Sequence, residues 1–270
     1  MAFPTGWLRK CELVIQNGKI DDTLSNFPVL LTQTTLPAEM MDSDLRATVA
    51  AQEDGGDIRF SSDEAGSSQL ACEIVTWTQA SDPANAVVEI HVEVPSIASG
   101  ADTSIWVWYN TSGSDSQPAE DAAYGKEDTW DDGGNDYFLM VQHLNEDPTD
   151  DGAQAIDSTQ NDNDGTSGGT MDDNDLIPAK IGDGWDFDGN DDVVALPDVT
   201  GIAATGTVEA WVKFASVTWQ ADPGTSIWTR QRIDASLQAT LGGMAGGSTD
   251  LFLVFIRGIV PGLGIVHGVV

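Results

Sequence analysis

Basic residues are scarce in this chain. Only 11 Lys and Arg stand against 44 Asp and Glu in 270 residues, giving a formal net charge of −33 and a pI of about 4.1. A field of that sign repels phosphate backbones, which excludes nucleic-acid binding, and it disfavours anionic membranes. Cysteine is almost absent: Cys11 and Cys72 are the only two, and no CxxC or Cys/His zinc spacing occurs. Histidine is limited to His91, His143 and His267, with no nucleophile elbow beside any of them. No phosphate-cradling GxxxxGK[ST] loop is present. Long apolar runs are missing too. The nearest, Leu251–Val270, is interrupted by Arg257, His267 and several glycines, so membrane insertion is not expected. The first residues lack the basic and apolar regions of a secretory signal.

What remains is a chain of short strands. Apolar residues make up 40%, enough for a packed core. CELVIQ, the stretch Phe27–Thr32, Ile58–Phe60, Leu70–Trp77, Val87–Val94 and Ser104–Tyr109 read as strands by alternation and β-branching. Leu36–Met41 reads as a short helical turn. Turns every 8–12 residues and no long helical periodicity indicate an all-β fold of two β-sandwich modules. The first module is expected over 1–112. A Ser/Gly/Asp/Pro-rich stretch over 113–136 is expected as a linker or long loop. The second is expected over 137–270, opening on the strand Tyr137–Leu144 and including the alternating stretch Gly206–Phe214. Leu251–Ile256 reads as an inner strand, followed by a Gly-rich apolar tail.

The centre of the second module is KIGDGWDFDGNDDVVALP, Lys180–Pro197. Apolar runs on both sides of Asp-Gly-Asn predict a hairpin, because these residues tolerate the positive φ of tight turns. The turn also concentrates hard oxygen ligands, the donor type Ca²⁺ prefers. Two other acidic turns, Asp128–Asp136 and Asp150–Asp164, are placed to converge on it. The candidate Ca²⁺ ligands are Asp157, Asp188, Asp191 and Asp192. The competing reading is that these residues only form turns, and that the acidity serves a hydrated, halophilic surface. Trp130 and Trp219 lie in polar stretches and are the candidate carbohydrate-stacking rings. Trp106, Trp108, Trp211 and Trp228 lie in strands and are expected in the core. Cys11 and Cys72 are either a candidate disulfide between neighbouring strands or two buried thiols. His91 and His143 read as core or face histidines of strands.

Taken in order, WLRK, FPVLL, DGGDIRFSSDEAG, LACEIVTW, VEIHVEVPSI and TSIWVWYN resemble the small β domain of unknown function known as DUF2341. VQHLNE, AIDSTQNDNDGT, KIGDGWDFDGNDDVVALP and GTVEAWVKF resemble the concanavalin A-like, or laminin-G-like, jelly roll, with a Gly-rich C-terminus that implies either a shortened sandwich or a tail diverted to assembly. The resemblance implies a structural Ca²⁺ in such loops. It also implies a virion surface protein of a phage or archaeal virus: a tail, fibre or capsid-decoration component. Its partners would be other virion proteins, copies of itself and a host cell-surface glycan. The alternative it implies is an extracellular adhesin of a cell surface. A glucanase is a weaker implication, since the E-x-D-x-x-E arrangement of such enzymes is absent, so no enzymatic activity is expected.

Overall fold

The computed structural model describes residues 3–131, 138–149, 153–188, 191–197, 206–211, 249–250 and 254–258. It is all-β, with antiparallel sheets and only short 3₁₀ turns between strands. Two compact units are present, one within Met1–Gly134 and one within Asn135–Ile259.

The first unit is a sandwich of two sheets. One has the order β1-β7-β3-β4, from β1 (Trp7–Ile15), β7 (Thr103–Thr111), β3 (Arg59–Ser61) and β4 (Gln69–Leu70). The other has the order β2-β6-β5, from β2 (Leu24–Thr32), β6 (Val87–Ile97) and β5 (Cys72–Thr78). Period-two alternation decides which side of each strand is apolar. On β6, Val88, Ile90, Val92 and Val94 enter the core. Ile105, Val107 and Tyr109 on β7 and Phe60 on β3 meet them from the facing sheet. Each side chain of this size stabilises by roughly 1.5–3 kcal/mol on full burial. The short helical turn appears as a 3₁₀ turn at Ala38–Met40, whose Met40 plugs the same core.

The stretch expected as a linker is part of this unit throughout its described residues. Gln117 Nε2 donates to the carbonyls of Gly55 (2.7 Å) and Ile58 (3.0 Å). Arg59 reaches the carbonyl of Ser116. This stretch is the long loop of the two expected alternatives, and its polar side chains work inward as backbone clamps. The disulfide expectation is also corrected. Cys11 lies on β1 and Cys72 on β5, in opposite sheets, and both thiols are free.

Among the described residues the second unit contains three small sheets. Their orders are β14-β16-β8, β13-β10-β9 and β11-β12-β15. The strands are β8 (Phe138–Gln142), β9 (Ala153–Ala155), β10 (Gly165–Gly168), β11 (Leu176–Pro178), β12 (Asp183–Phe187), β13 (Val193–Ala195), β14 (Gly206–Ala210), β15 (Thr249–Asp250) and β16 (Val254–Gly258). The inner strand near the C-terminus is present as β16, between β14 and β8. The predicted hairpin is not. β12 pairs with β11 and β15, whereas β13 pairs with β10. In the acidic turn between them, Asp192 Oδ2 accepts from the Asp188 N–H (2.8 Å) and Asp188 Oδ1 from the Asp191 N–H (3.3 Å). Gly169 enables the second pairing. Its φ is +93°, and a Cβ there would lie 2.3 Å from the carbonyl oxygen of Asp191.

Candidate functional site

Three groups of ionisable side chains cluster among the described residues, and each is set by a different local rule. The first lies on the outer face of β6. The alternation that sends Ile90 and Val92 into the core turns Glu89, His91 and Glu93 to the other side. Glu73 of β5 sits opposite His91. Glu89 Oε1 and His91 Nε2 are 3.1 Å apart, both side chains buried. Trp130 covers them. Its ring centroid lies 5.0 Å from that of His91, and its indole N–H donates to Glu73 Oε2 at 2.7 Å.

Trp130 is carried by a 3₁₀ turn, Glu127–Thr129, that packs on β5 and β6. The turn is held by the Lys126–Glu120 ion pair (3.0 Å) and by Tyr124 N–H donating to Asp128 (2.8 Å). Gly125 lets it fold closely, since a Cβ there would meet the carbonyl of Ala119 at 2.2 Å. Trp130 is 3% exposed and anchors the fold, which corrects its reading as an exposed sugar-stacking ring. Glu93 faces the same turn. Burial, then the charges of Asp128 and Asp131, push its carboxyl up to about 7.

The second group centres on Asp157, 2% exposed. Its Oδ1 accepts from the N–H groups of Val141 (2.9 Å) and Thr159 (3.0 Å). Its Oδ2 accepts from the Thr159 hydroxyl (2.9 Å) and the Asn163 N–H (2.9 Å). Gln142 works beside it, donating to the carbonyls of Ala155 (3.0 Å) and Asn163 (3.1 Å). Burial raises the Asp157 carboxyl above its usual range while these donors pull it back. With both oxygens committed to four donors, Asp157 does not fit a cation ligand. It is the knot that ties the 157–164 loop to β8.

The third group is the turn after β12. One carboxylate oxygen from each of Asp188, Asp191 and Asp192 lies within 4.8 Å of the others. Asp188 N–H donates to Asp192 Oδ2 (2.8 Å), and Thr170 N–H donates to Asp192 Oδ1 (3.2 Å). These bonds orient the carboxylates and leave lone pairs for a hard cation. The three acidic turns therefore do separate work. Asp128 and Asp131 face Glu93, Asp157 knots a loop, and Asp188, Asp191 and Asp192 cluster together.

Trp219 and Trp228 lie outside the described residues, as does His267. Trp108 is buried, and its indole N–H donates to Ser61 at 2.8 Å. Trp106 is half-buried. Trp211, expected in the core, is instead 39% exposed at the end of β14. The sequence reading missed Glu73, Glu89 and Glu93. The signal for Glu89 and Glu93 was present in EIHVE, where three polar residues share one side of a strand whose other side is apolar.

Among the described residues no helix is long and apolar enough to cross a membrane. Compared with known proteins, the chain matches no family model, no curated protein and no solved structure.

Proposed function

We propose that this chain is a structural protein of a virion surface, assembled with copies of itself and other virion proteins. One observation carries the structural part of the reading. The buried ionisable groups are engaged with the fold itself: Asp157 with four donors, Glu73 with Trp130, and Glu89 with His91. Such groups rigidify a scaffold when satisfied. The resemblance of both units to modules of phage surface proteins supplies the virion part. The turn of Asp188, Asp191 and Asp192 would hold a Ca²⁺ ion, whose chemistry is to neutralise three close carboxylates and stiffen the turn. The test is co-sedimentation. Antibody against the purified chain should label particles banded on a density gradient from the source culture. Antigen confined to cell envelopes or to free protein would refute the virion assignment.

A second reading, a cell-surface carbohydrate-binding adhesin, is favoured by Trp211, an exposed ring of the type that stacks on sugars. It predicts glycan-array binding by the isolated chain that Trp211→Ala abolishes. Binding unchanged by that substitution would remove the observation on which this reading stands.

A further inference from the structure

Among the described residues the first unit leaves four strand edges, and three of them are blunted. β4 is two residues long. β2 carries Pro28 at its middle, which removes one backbone donor. β5 has a register shift between Ile74 and Thr76, and its Cys72 N–H is taken by the carbonyl of Tyr124 in the covering segment. Each is a recognised way of keeping another chain from adding to a sheet.

β1 has none of these. It is nine residues long, ends the order β1-β7-β3-β4, contains no proline, and keeps unbroken register with β7 from Arg9 to Ile15. Among the described residues no other strand pairs with its outward side. Two of its charged side chains, Lys10 and Glu12, are drawn back over the sheet, and Arg9 is exposed. Lys10 Nζ lies 5.0 Å from the Trp108 ring centroid, bonds the Glu64 carbonyl at 2.7 Å and meets the Glu64 carboxylate at 3.3 Å. Glu12 is held by the Ser104 hydroxyl at 2.6 Å. Leu8 and Val14 stay at the surface, 63% and 52% exposed.

The sequence of β1 is complementary to itself. An antiparallel pairing centred on Cys11 sets Leu8 against Val14 of the second copy, and Lys10 against its Glu12. No like charges face each other. Moving the centre to Lys10 or to Glu12 places a charge against its own kind, and opposed like charges destabilise a cross-strand pair. The side-chain period of two then puts Leu8, Lys10, Glu12 and Val14 of both copies on one face.

We propose that β1 is a homodimerisation edge. Two copies pair their β1 strands antiparallel about a two-fold axis at Cys11, joining their sheets into one. The inference deepens the proposed assembly role and rests on that reading in taking a second copy of this chain as the occupant. Directly opposed residues in such a pair have Cα atoms about 4.5–5.5 Å apart, within the range a disulfide spans. Cys11 of the two copies is thus a built-in reporter.

The test treats the full chain with copper–phenanthroline at concentrations where sedimentation shows self-association. Two Cys11 thiols become one disulfide, with two protons released and two electrons passing to Cu(II). A covalent dimer is expected that survives Cys72→Ser and disappears in Cys11→Ser. Val14→Lys alters an exposed side chain, so its unfolding temperature should stay unchanged while dimer formation drops at least tenfold. The single variant K10E should also weaken the dimer, and K10E/E12K should restore it. An oligomer without the Cys11 cross-link, or one indifferent to Val14→Lys, would overturn this interface while leaving self-assembly by another surface intact. A monomer at every concentration would overturn it as well, and gradient co-sedimentation with particles would then judge the virion reading separately.

Discussion

Among the described residues, both units set buried polar groups beside an apolar interior, and the two interiors differ in extent. In the first, two sheets close on a continuous apolar interior running from Leu24 through Ile90 and Val107 to Tyr109. In the second, the described interior gathers Leu139, Met140, Val141, Leu144, Ala155 and Trp185 beside a buried carboxylate and a buried amide. The first is held by area removed from water, which is non-directional and forgiving of detail. Around Asp157 the second adds hydrogen bonds that must all be present, because an unmade buried bond costs more than a made one contributes. The 157–164 loop recovers order through Asp157, which satisfies three backbone donors at once.

The largest expected effect breaks the first half of that comparison. Phe60 is fully buried between the sheets of the first unit. Phe60→Ala should lower its stability by about 3–5 kcal/mol in urea unfolding, the range for deleting a buried aromatic ring. A loss below about 1 kcal/mol would mean the core collapses around the vacancy.

Next, Asp157→Asn should cost roughly 2–3 kcal/mol, although the substitution is nearly isosteric. An amide offers one accepting oxygen, so part of the donor set around Val141, Thr159 and Asn163 loses its partner. Asp157→Ala should cost more than Asp157→Asn. Equal costs would point to packing rather than hydrogen bonding.

Calcium sharpens the contrast between the acidic turns of the second unit. Millimolar Ca²⁺ added after EGTA should raise the thermal midpoint by an amount equivalent to about 1 kcal/mol, through preferential binding to the folded state. Asp191→Asn should abolish the shift, since it removes one of three clustered carboxylates. Asp157→Asn should leave the shift in place. Stabilisation by molar NaCl alone, with no response to Ca²⁺, would assign the acidity to a halophilic surface.

The smallest effect belongs to Glu93. Its carboxyl is raised from 4.5 to about 7, so the folded chain keeps a proton that the unfolded chain releases between those values. Stability is then greatest below pH 4.5 on this account, falls as pH rises through 7, and is level above. The side chain is partly exposed, so solvent screening keeps the effect below about 1 kcal/mol. Glu93→Gln should flatten this slope and leave the protein slightly more stable at pH 8. An unchanged slope would place the titration elsewhere.

The fold was legible in the sequence where alternation was strong. VVEIHVEV announces both a strand and its two faces, and CELVI does the same for β1. The candidate sites were less legible, for physical reasons. Asp157 and Asp191 are identical as letters, yet one is buried against four donors and the other is exposed at a turn. Only the placement of Val141 and Asn163 distinguishes them. Trp130 sits among Asp and Gly, which reads as a surface loop. Its burial depends on Glu73, more than fifty positions away, accepting its indole N–H. The hairpin expected from Asp-Gly-Asn failed because turn propensity is local, while the pairing of β13 with β10 is decided by the close approach that Gly169 permits.

The central claim, that the buried carboxylate of Asp157 holds the 157–164 loop to β8, is tested most directly by hydrogen exchange on Asp157→Ala. The account predicts lost protection across β8 and the 157–168 stretch, with β6 and β7 protected as before. Unchanged protection across 138–168 would contradict it, and would free Asp157 for a role other than structure.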